Sequence, residues 1–340
     1  MNQTAPAPRF DHLLKMTDRR GTFEHACLNE PRSEHGYCVD DMARVLVVAT
    51  REPDPTGDVK QLAGVAIRFL NDAQTLDGGC RNRMDSDGRW VDQPTVNDCW
   101  GRCVWALGTA VAHSGVVWVR KMALVQFERA AQSRSPWPRA SAYAALGAAE
   151  VLSVLPDHRG ARKLITDYAV TVRDATPHPD WPWLEARLTY ANAVLPQAMI
   201  AAGVAMEAPR MWQRGLDLLG WLLDVEKVDG HLSPTPVAGR GPRDPRPGFD
   251  QQPIEVAALA DACARAAAVD PSPEWPDGVR IAADWFGGVN DAGQIMWDPD
   301  TGAGFDGLHA DGVNRNQGAE STLAVISTFQ HARRIALLQQ

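Results

Sequence analysis

The sequence contains no run of about 18 apolar residues, the length a membrane-crossing helix needs, so no such helix is expected. It has no excess of basic charge. The 34 Lys and Arg residues are outnumbered by 42 Asp and Glu, giving a net charge of −8. Non-specific nucleic-acid binding needs a basic face, and this balance argues against it while leaving room for a local basic pocket. There is no glycine-rich loop with the spacing of a phosphate or dinucleotide cradle, and no serine in a nucleophile elbow. The opening stretch, MNQTAPAPRFDHLLK, lacks the basic-then-apolar order of a secretory signal, so the cytoplasm is the expected location. In that compartment the six cysteines, at 27, 38, 80, 99, 103 and 263, are expected as thiols rather than disulfides.

What is present in quantity is helical patterning. Apolar residues recur at three- and four-residue spacing over 39–51, 58–74, 98–114, 119–132, 138–154, 158–174, 186–204, 209–226, 252–269, 275–287 and 318–337, with a weaker pattern near 7–17. The stretch SAYAALGAAEVLSVL, 141–155, is nearly all small and apolar, which suits a helix buried on most sides. At 340 residues, 45% of them hydrophobic, the chain can bury a large core.

The breaks between these helices are of two kinds. Some are short. Others are long and rich in Gly, Asp, Pro and Trp: 75–98, 133–141, 176–192, 226–255 and 290–320. Their starts recur roughly every 45–65 residues. Three open alike, at Leu76-Asp77-Gly78-Gly79, Val228-Asp229-Gly230-His231 and Asn290-Asp291-Ala292-Gly293, which reads as a tight turn or small hairpin. A helix pair plus one elaborate loop, repeated about six times, predicts an all-α (α/α)6 toroid. Inner and outer helices would alternate, with the long loops and small hairpins on one face. An open superhelical array would need polar capping repeats, and none is visible. The expectation is one domain over 1–340, with 1–20 as an extension or first helix. Function is expected on the long-loop side, where a rigid scaffold presents mobile chemistry.

Polar residues gather where long loops meet helix starts. They are Asp40 and Asp41; Asn97 and Asp98; Glu185 and Tyr190; Asp250, Gln251, Gln252 and Glu255; and Asn314, Asn316, Gln317 and Glu320. A toroid would bring these points around one cavity, where crowding and desolvation push some carboxyl pKa values up. One raised acid and one ionised base is what glycosidic cleavage requires. Each residue also has a structural reading. Asp41 and Asp98 suit N-caps worth about 1 kcal/mol, and Glu255 and Glu320 suit the first turn of a helix dipole. The clustering of five such sites, with more amides than capping needs, favours a sugar-binding role, since amides both donate and accept.

Twelve tryptophans add apolar faces for sugar rings. Trp90, Trp100, Trp137, Trp181, Trp183 and Trp297 lie in or beside the long loops; gap-filling is the structural reading of each. His25, Cys27, His35, Cys38, Cys99 and Cys103 do not have familiar zinc spacing, and 298–307 lacks the order of a calcium loop, so no metal is expected. The arginine-rich loop 239–248 reads as solvated, or as a lid over an anionic group.

The stretches EHGYCVDDMARVL, FDQQPIEVAAL and DGLHADGVNRNQGAESTLAVI resemble a bacterial group of (α/α)6-type proteins found beside, or fused to, glycosyltransferases, often near mannoside-phosphorylase-like genes. The resemblance runs from Glu24 to about Phe329. It implies a glycosyltransferase as a possible partner and, at fold level, kinship with six-hairpin glycosidases and sugar epimerases. Met42 departs from it, since Asn is expected after Asp41.

The expected activity is that of an inverting glycoside hydrolase acting on a small oligosaccharide or glycoconjugate, without a cofactor. The acid and base are expected among Asp41, Glu320, Asp98, Asp250 and Glu255, with Asp41 and Glu320 foremost. Inversion would need the two carboxyls about 6.5–9.5 Å apart. His35, Tyr37, Asp40, Trp100, Trp183, Glu185, Tyr190, Gln251, Gln252, His309, Asn316 and Gln317 are expected to line the substrate. Two alternatives stand beside this. A sugar epimerase or isomerase would shuttle protons through His35, His231 or His309. A non-catalytic glycan-binding or scaffold partner of a glycosyltransferase would bind without turnover.

Overall fold

The computed structural model describes residues 6–173 and 181–338, and among them the regular structure is helical, with four antiparallel strand pairs. The helices are α1 Asp11–Lys15, α2 Val39–Arg51, α3 Gly57–Ala73, α4 Asp98–His113, α5 Val117–Ala130, α6 Pro138–Val154, α7 Arg159–Arg173, α8 Val194–Ala205, α9 Pro209–Glu226, α10 Pro253–Ala267, α11 Glu274–Phe286 and α12 Ala319–Leu338. The strand pairs are β1 Ala26–Cys27 with β2 Glu30–Pro31, β3 Tyr37–Cys38 with β4 Arg83–Met84, β5 Lys227–Val228 with β6 His231–Leu232, and β7 Gly307–His309 with β8 Gly312–Asn314. The chain forms two compact units. The first is Leu13–Arg173 with Ala201–Pro209; the second is Met1–His12, Asp174–Ile200 and Arg210–Gln340.

In the first unit the helices start where local chemistry lets them. Cys38 is extended and its sulfur accepts the Asp41 amide, so Cys38 caps α2. Asn97 precedes α4 and makes no side-chain cap bond. Neither Asp41 nor Asp98 is therefore the N-cap that its sequence position suggests; both lie inside the first turn. Helix α6 opens on Pro138, whose missing amide costs nothing there. Its small residues serve close packing on α4. A Cβ on Gly108 would fall 2.0 Å from the Gly147 carbonyl oxygen, and one on Gly147 would fall 2.2 Å from that of Val104. The two backbones touch, which only glycine at the crossing permits.

In the second unit α10 opens on Pro253 and packs along α12. Asp261 of α10 ties the two, accepting from Ser327 Oγ at 3.0 Å and His331 Nε2 at 2.5 Å. The Asp229-Gly230 turn joins β5 to β6 with φ of 48° and 88°, the left-handed pair a tight hairpin needs. The similar opening at Leu76–Gly79 closes by Thr75 N donating to the Gly79 carbonyl at 2.9 Å. At Asn290–Gly293 the Asn290 side chain does the turning, accepting from Ala292 and Gln294 amides.

One helix prediction fails at its start. The apolar pattern over 186–204 extends too far, and α8 begins only at Val194. Leu188 pairs its backbone with Arg240, and Ala191 adopts a left-handed φ of 43°, so 188–191 cannot be helical. The opening of the 176–192 loop, 176–180, lies outside the described residues.

Candidate active site

In the first unit the acids at the starts of α2 and α4 meet arginines. Asp41 is 2% exposed and accepts from Arg44 Nη1 at 2.7 Å, one turn along its own helix; the Cys38 thiol also donates to it, at 3.2 Å. Asp40 accepts from Arg102 Nη1 at 2.7 Å and from Asn82 Nδ2 at 3.1 Å. Asp98 lies 3.5 Å from Arg102 Nη2. Burial works to raise the Asp40 pKa, but the Arg102 and Arg44 guanidiniums outweigh it and hold the carboxyl below its ordinary range. Arg102 in turn lies over the Tyr143 ring, 5.0 Å from its centroid. Asp40 is thereby the opposite of a raised general acid. Arg44 and Arg102 fell outside the sequence prediction, although their spacing of three and four residues from Asp41 and Asp98 announces them.

The second unit builds a different device. Gln251 and Leu308 exchange both backbone hydrogen bonds, each at 2.9 Å. In antiparallel pairing the preceding residue, Asp250, then falls across from His309 of β7. His309 Nδ1 lies 2.6 Å from Asp250 Oδ1, and both side chains are more than a third exposed. On the other side of this segment the buried Gln251 amide donates to Asp291 Oδ2 at 2.6 Å and to the Gly248 carbonyl at 3.0 Å. Trp285 Nε1 donates to Gln251 Oε1 at 3.3 Å. Asp291, so held, faces His231 Nε2 of β6 at 2.8 Å. Two histidine–aspartate pairs thus flank the dipeptide Asp250-Gln251. Each aspartate lies within hydrogen-bond reach of one imidazole nitrogen and so orients its ring. Asp291 was read only as a turn residue, because the hydrogen bond that gives it meaning comes from 40 positions away.

Other expected site residues have structural employment. Glu255 is 5% exposed and accepts from the amides of Ala191 at 2.5 Å and Asn192 at 3.3 Å, and from Asn192 Nδ2 at 3.2 Å. It clamps the strained Ala191. Tyr37 donates to Asp18 Oδ2 at 2.9 Å inside the core, and burial together with Asp18 pushes its pKa up to about 12. Trp100 is 1% exposed, with its indole nitrogen on the Ala130 carbonyl. Trp183 is buried and stacks on Trp221. Neither indole offers a face to solvent, which corrects the expectation of a sugar platform at these two positions. Met42 is fully buried, its sulfur against the Thr22 amide. Gln317 is buried and its carbonyl faces His12 Nε2 at 2.8 Å. The Asn316 carbonyl accepts from the Asp306 amide. Trp181 donates to the Glu185 carbonyl at 2.9 Å. His35 and Tyr190 are exposed, Gln252 precedes α10 without capping it, and Glu320 is half-buried in the first turn of α12.

Among the described residues, Glu24, Cys38 and Asp41 bring three donor atoms within 4.8 Å of one another. Arg83 pairs with Glu24 and Arg44 with Asp41, so the negative charge a cation would want is already matched. In 298–307 the Asp298 carboxylate accepts the Asp300 amide, an internal turn. Arg240, read as part of a solvated loop, is 2% exposed; it donates to the Val225 carbonyl, and its backbone is pinned to Leu188. No helix among the described residues is long and apolar enough to cross a membrane.

No protein-family model matches the chain, and no curated protein matches it in sequence. Solved structures do. A sugar epimerase from a ruminal bacterium superimposes with a TM-score of 0.70 over 95% of both chains at 13% identity. The cellobiose 2-epimerase of Spirochaeta thermophila gives 0.68 at 13% identity over 98% of this chain and 95% of its own. The GH76 α-mannanase of Bacteroides thetaiotaomicron gives 0.67 at 9% identity over 97% of this chain and 94% of its own. The fold is therefore the all-α (α/α)6 type shared by six-hairpin glycosidases and sugar epimerases.

Proposed function

We propose that the chain is a carbohydrate-active enzyme of the epimerase or isomerase type, with His309 and His231 as its acid and base. The observation that carries this reading is the pair of histidine–aspartate contacts flanking Asp250-Gln251. Histidine is the side chain that gains and loses a proton near neutrality, and a carboxylate behind it sets its orientation. The chemistry needs an open-chain reducing sugar. A base takes the proton from the carbon beside the carbonyl, and the bonding pair passes into an enediolate. An acid returns a proton to the opposite face of that carbon, inverting it, or to the neighbouring carbon, moving the carbonyl. Similarity to structures described as a sugar epimerase, cellobiose 2-epimerases and a D-mannose isomerase supports this substrate class.

Hydrolysis by two carboxylates is the second reading, favoured by similarity to a GH76 α-mannanase and a GH9 endoglucanase. It is weakened by the employment of its nominees. Asp41 and Asp98 face arginines, Asp250 faces His309, and Glu255 is taken up by backbone amides. A glycosyltransferase partner and a cytoplasmic setting belong to the same proposal.

The test is incubation with glucose, mannose, cellobiose and mannobiose in D2O, followed by proton NMR. Deuterium at the carbon next to the carbonyl, together with the second epimer or ketose, is expected. His309→Asn and His231→Asn should each slow its appearance about 10²–10⁴-fold. New reducing ends without deuterium would replace this reading with hydrolysis. Sugar binding with neither outcome would replace it with a non-catalytic binder.

A further inference from the structure

The first unit carries a histidine pair that the proposed sugar chemistry does not use. Phe23 and Tyr37 bridge antiparallel, and the Glu24 amide donates to the Gly36 carbonyl at 3.2 Å. Continuing that register by one residue sets His25 across from His35. Strand β1 then takes a new partner, with Ala26 opposite Pro31 and Cys27 opposite Glu30. The returning chain has residues to spare, and Ser33–His35 coil into a single 3-10 turn. His35 N donates to the Arg32 carbonyl and Gly36 N to the Ser33 carbonyl, each at 3.1 Å. The Arg32 amide donates to the His25 carbonyl at 2.8 Å and closes the other side. Gly36 is needed at the exit, with φ of 70° and no room for a Cβ, which would fall 2.1 Å from the Met84 carbonyl oxygen. No linear spacing marks the two histidines as a pair; the backbone register makes them one.

Their ring centroids stand 5.1 Å apart, with the planes at 89°. The side chains are 51% and 39% exposed, so a dissolved ion reaches both. Imidazole is a donor that suits zinc, copper and nickel. Zinc sits about 2.0–2.1 Å from an imidazole nitrogen, so two imidazoles on one tetrahedral ion have centroids about 5 Å apart. The observed separation is of that size.

The neighbouring charges select the kind of ion. Glu24 Oε1 lies 3.8 Å from His25 Nε2, and Glu34 Oε1 lies 3.8 Å from His35 Nε2. Each carboxylate also meets an arginine, Arg83 for Glu24 and Arg32 for Glu34. The negative charge that calcium or magnesium would seek is thus matched, and what the pair offers is nitrogen.

We propose that His25 and His35 form a surface site for a divalent first-row transition cation of the zinc kind. The two imidazoles are its protein ligands and water fills the remaining positions. An ion held there would clip the β1–β2 hairpin to the turn at Ser33–His35.

The test uses zinc chloride alone, titrated into the full chain after removal of metal with a chelator, and followed by calorimetry. One binding event is expected to weaken at least about 10-fold in His25→Ala and in His35→Ala, the scale of losing even an outer-shell partner of a metal site. His309→Asn should leave that event unchanged, and copper should bind more tightly than zinc. Equal zinc affinity in wild type and both variants, or a loss in only one of the two, would overturn the proposal. So would a wild type that takes up no zinc at about 1 mM. A second measurement needs no variant. Diethyl pyrocarbonate labelling of the wild-type chain, with and without zinc, is mapped by mass spectrometry. Protection of both His25 and His35 is expected, and protection of one alone or of neither refutes the shared site.

Discussion

In the first unit Asp40 and Asp41 each lie 2.7 Å from an arginine; in the second, Asp250 and Asp291 lie 2.6 and 2.8 Å from histidines. The acids look alike in sequence, since all stand near a helix start or a turn. Their partners divide them. Arginine stays charged throughout the range in which a protein folds, so it presents its carboxylate partner with a fixed positive charge. Histidine changes state near neutrality, so its carboxylate partner belongs to something that can move a proton. The first arrangement holds α2 and α4 in register. The second is a candidate for chemistry.

The sharpest way to break this contrast is to exchange the consequences. His309→Gln should lower kcat/KM about 10³-fold while leaving the urea midpoint nearly unchanged, because the side chain is more than a third exposed. A large loss of stability instead would make it scaffold. Arg44→Met should do the reverse. It leaves Asp41 buried without its guanidinium, and about 3 kcal/mol of unfolding free energy should go, read by urea titration. A change below about 1 kcal/mol would show the pair to be incidental.

A smaller effect sharpens the place of Glu255, an acid of the second unit that behaves like those of the first. Glu255→Gln removes a charge accepting two backbone amides, and about 2 kcal/mol should be lost. Hydrogen exchange at Ala191 and Asn192 should speed up, and unchanged exchange would refute the clamp. The smallest effect concerns pH. The folded pKa of Asp40 lies below its ordinary value of 3.8. The unfolded chain therefore binds the proton first as pH falls, so this stabilisation is full above about pH 4 and disappears on passing through the folded pKa. Asp40→Asn should be less stable than wild type at pH 6, with the gap closing toward pH 2. A constant gap would mean that the Arg102 contact carries no charge linkage.

Much of the fold is legible in the sequence. Eleven of the patterned stretches correspond to helices α2 to α12, and the Asp229-Gly230 hairpin stands where the turn chemistry places it. The failures are instructive. The pattern at 186–193 is as apolar as a helix, yet a glutamate 64 positions away from Ala191 holds that segment in a non-helical shape. Trp100 and Trp183 sit beside polar loops in the chain and are nevertheless interior, because a residue next to a loop still takes the direction its helix or packing partner imposes. Arg44 and Arg102 were readable from spacing alone and went unread. Asn82 and Asp291 were not readable, since nothing local marks them as the partners of Asp40 and Gln251.

Local residue patterns are enough to dictate the alternation of helices with long loops, and hence an all-α fold, because helix periodicity, proline at a first turn and an Asp-Gly hairpin are properties of a few neighbouring residues. Which of the distant partners each acid meets, an arginine for Asp40 and histidines for Asp250 and Asp291, is settled by the fold as a whole. The Asp40–Arg102 and His231–Asp291 pairings join side chains 62 and 60 positions apart, a separation that no local pattern spans.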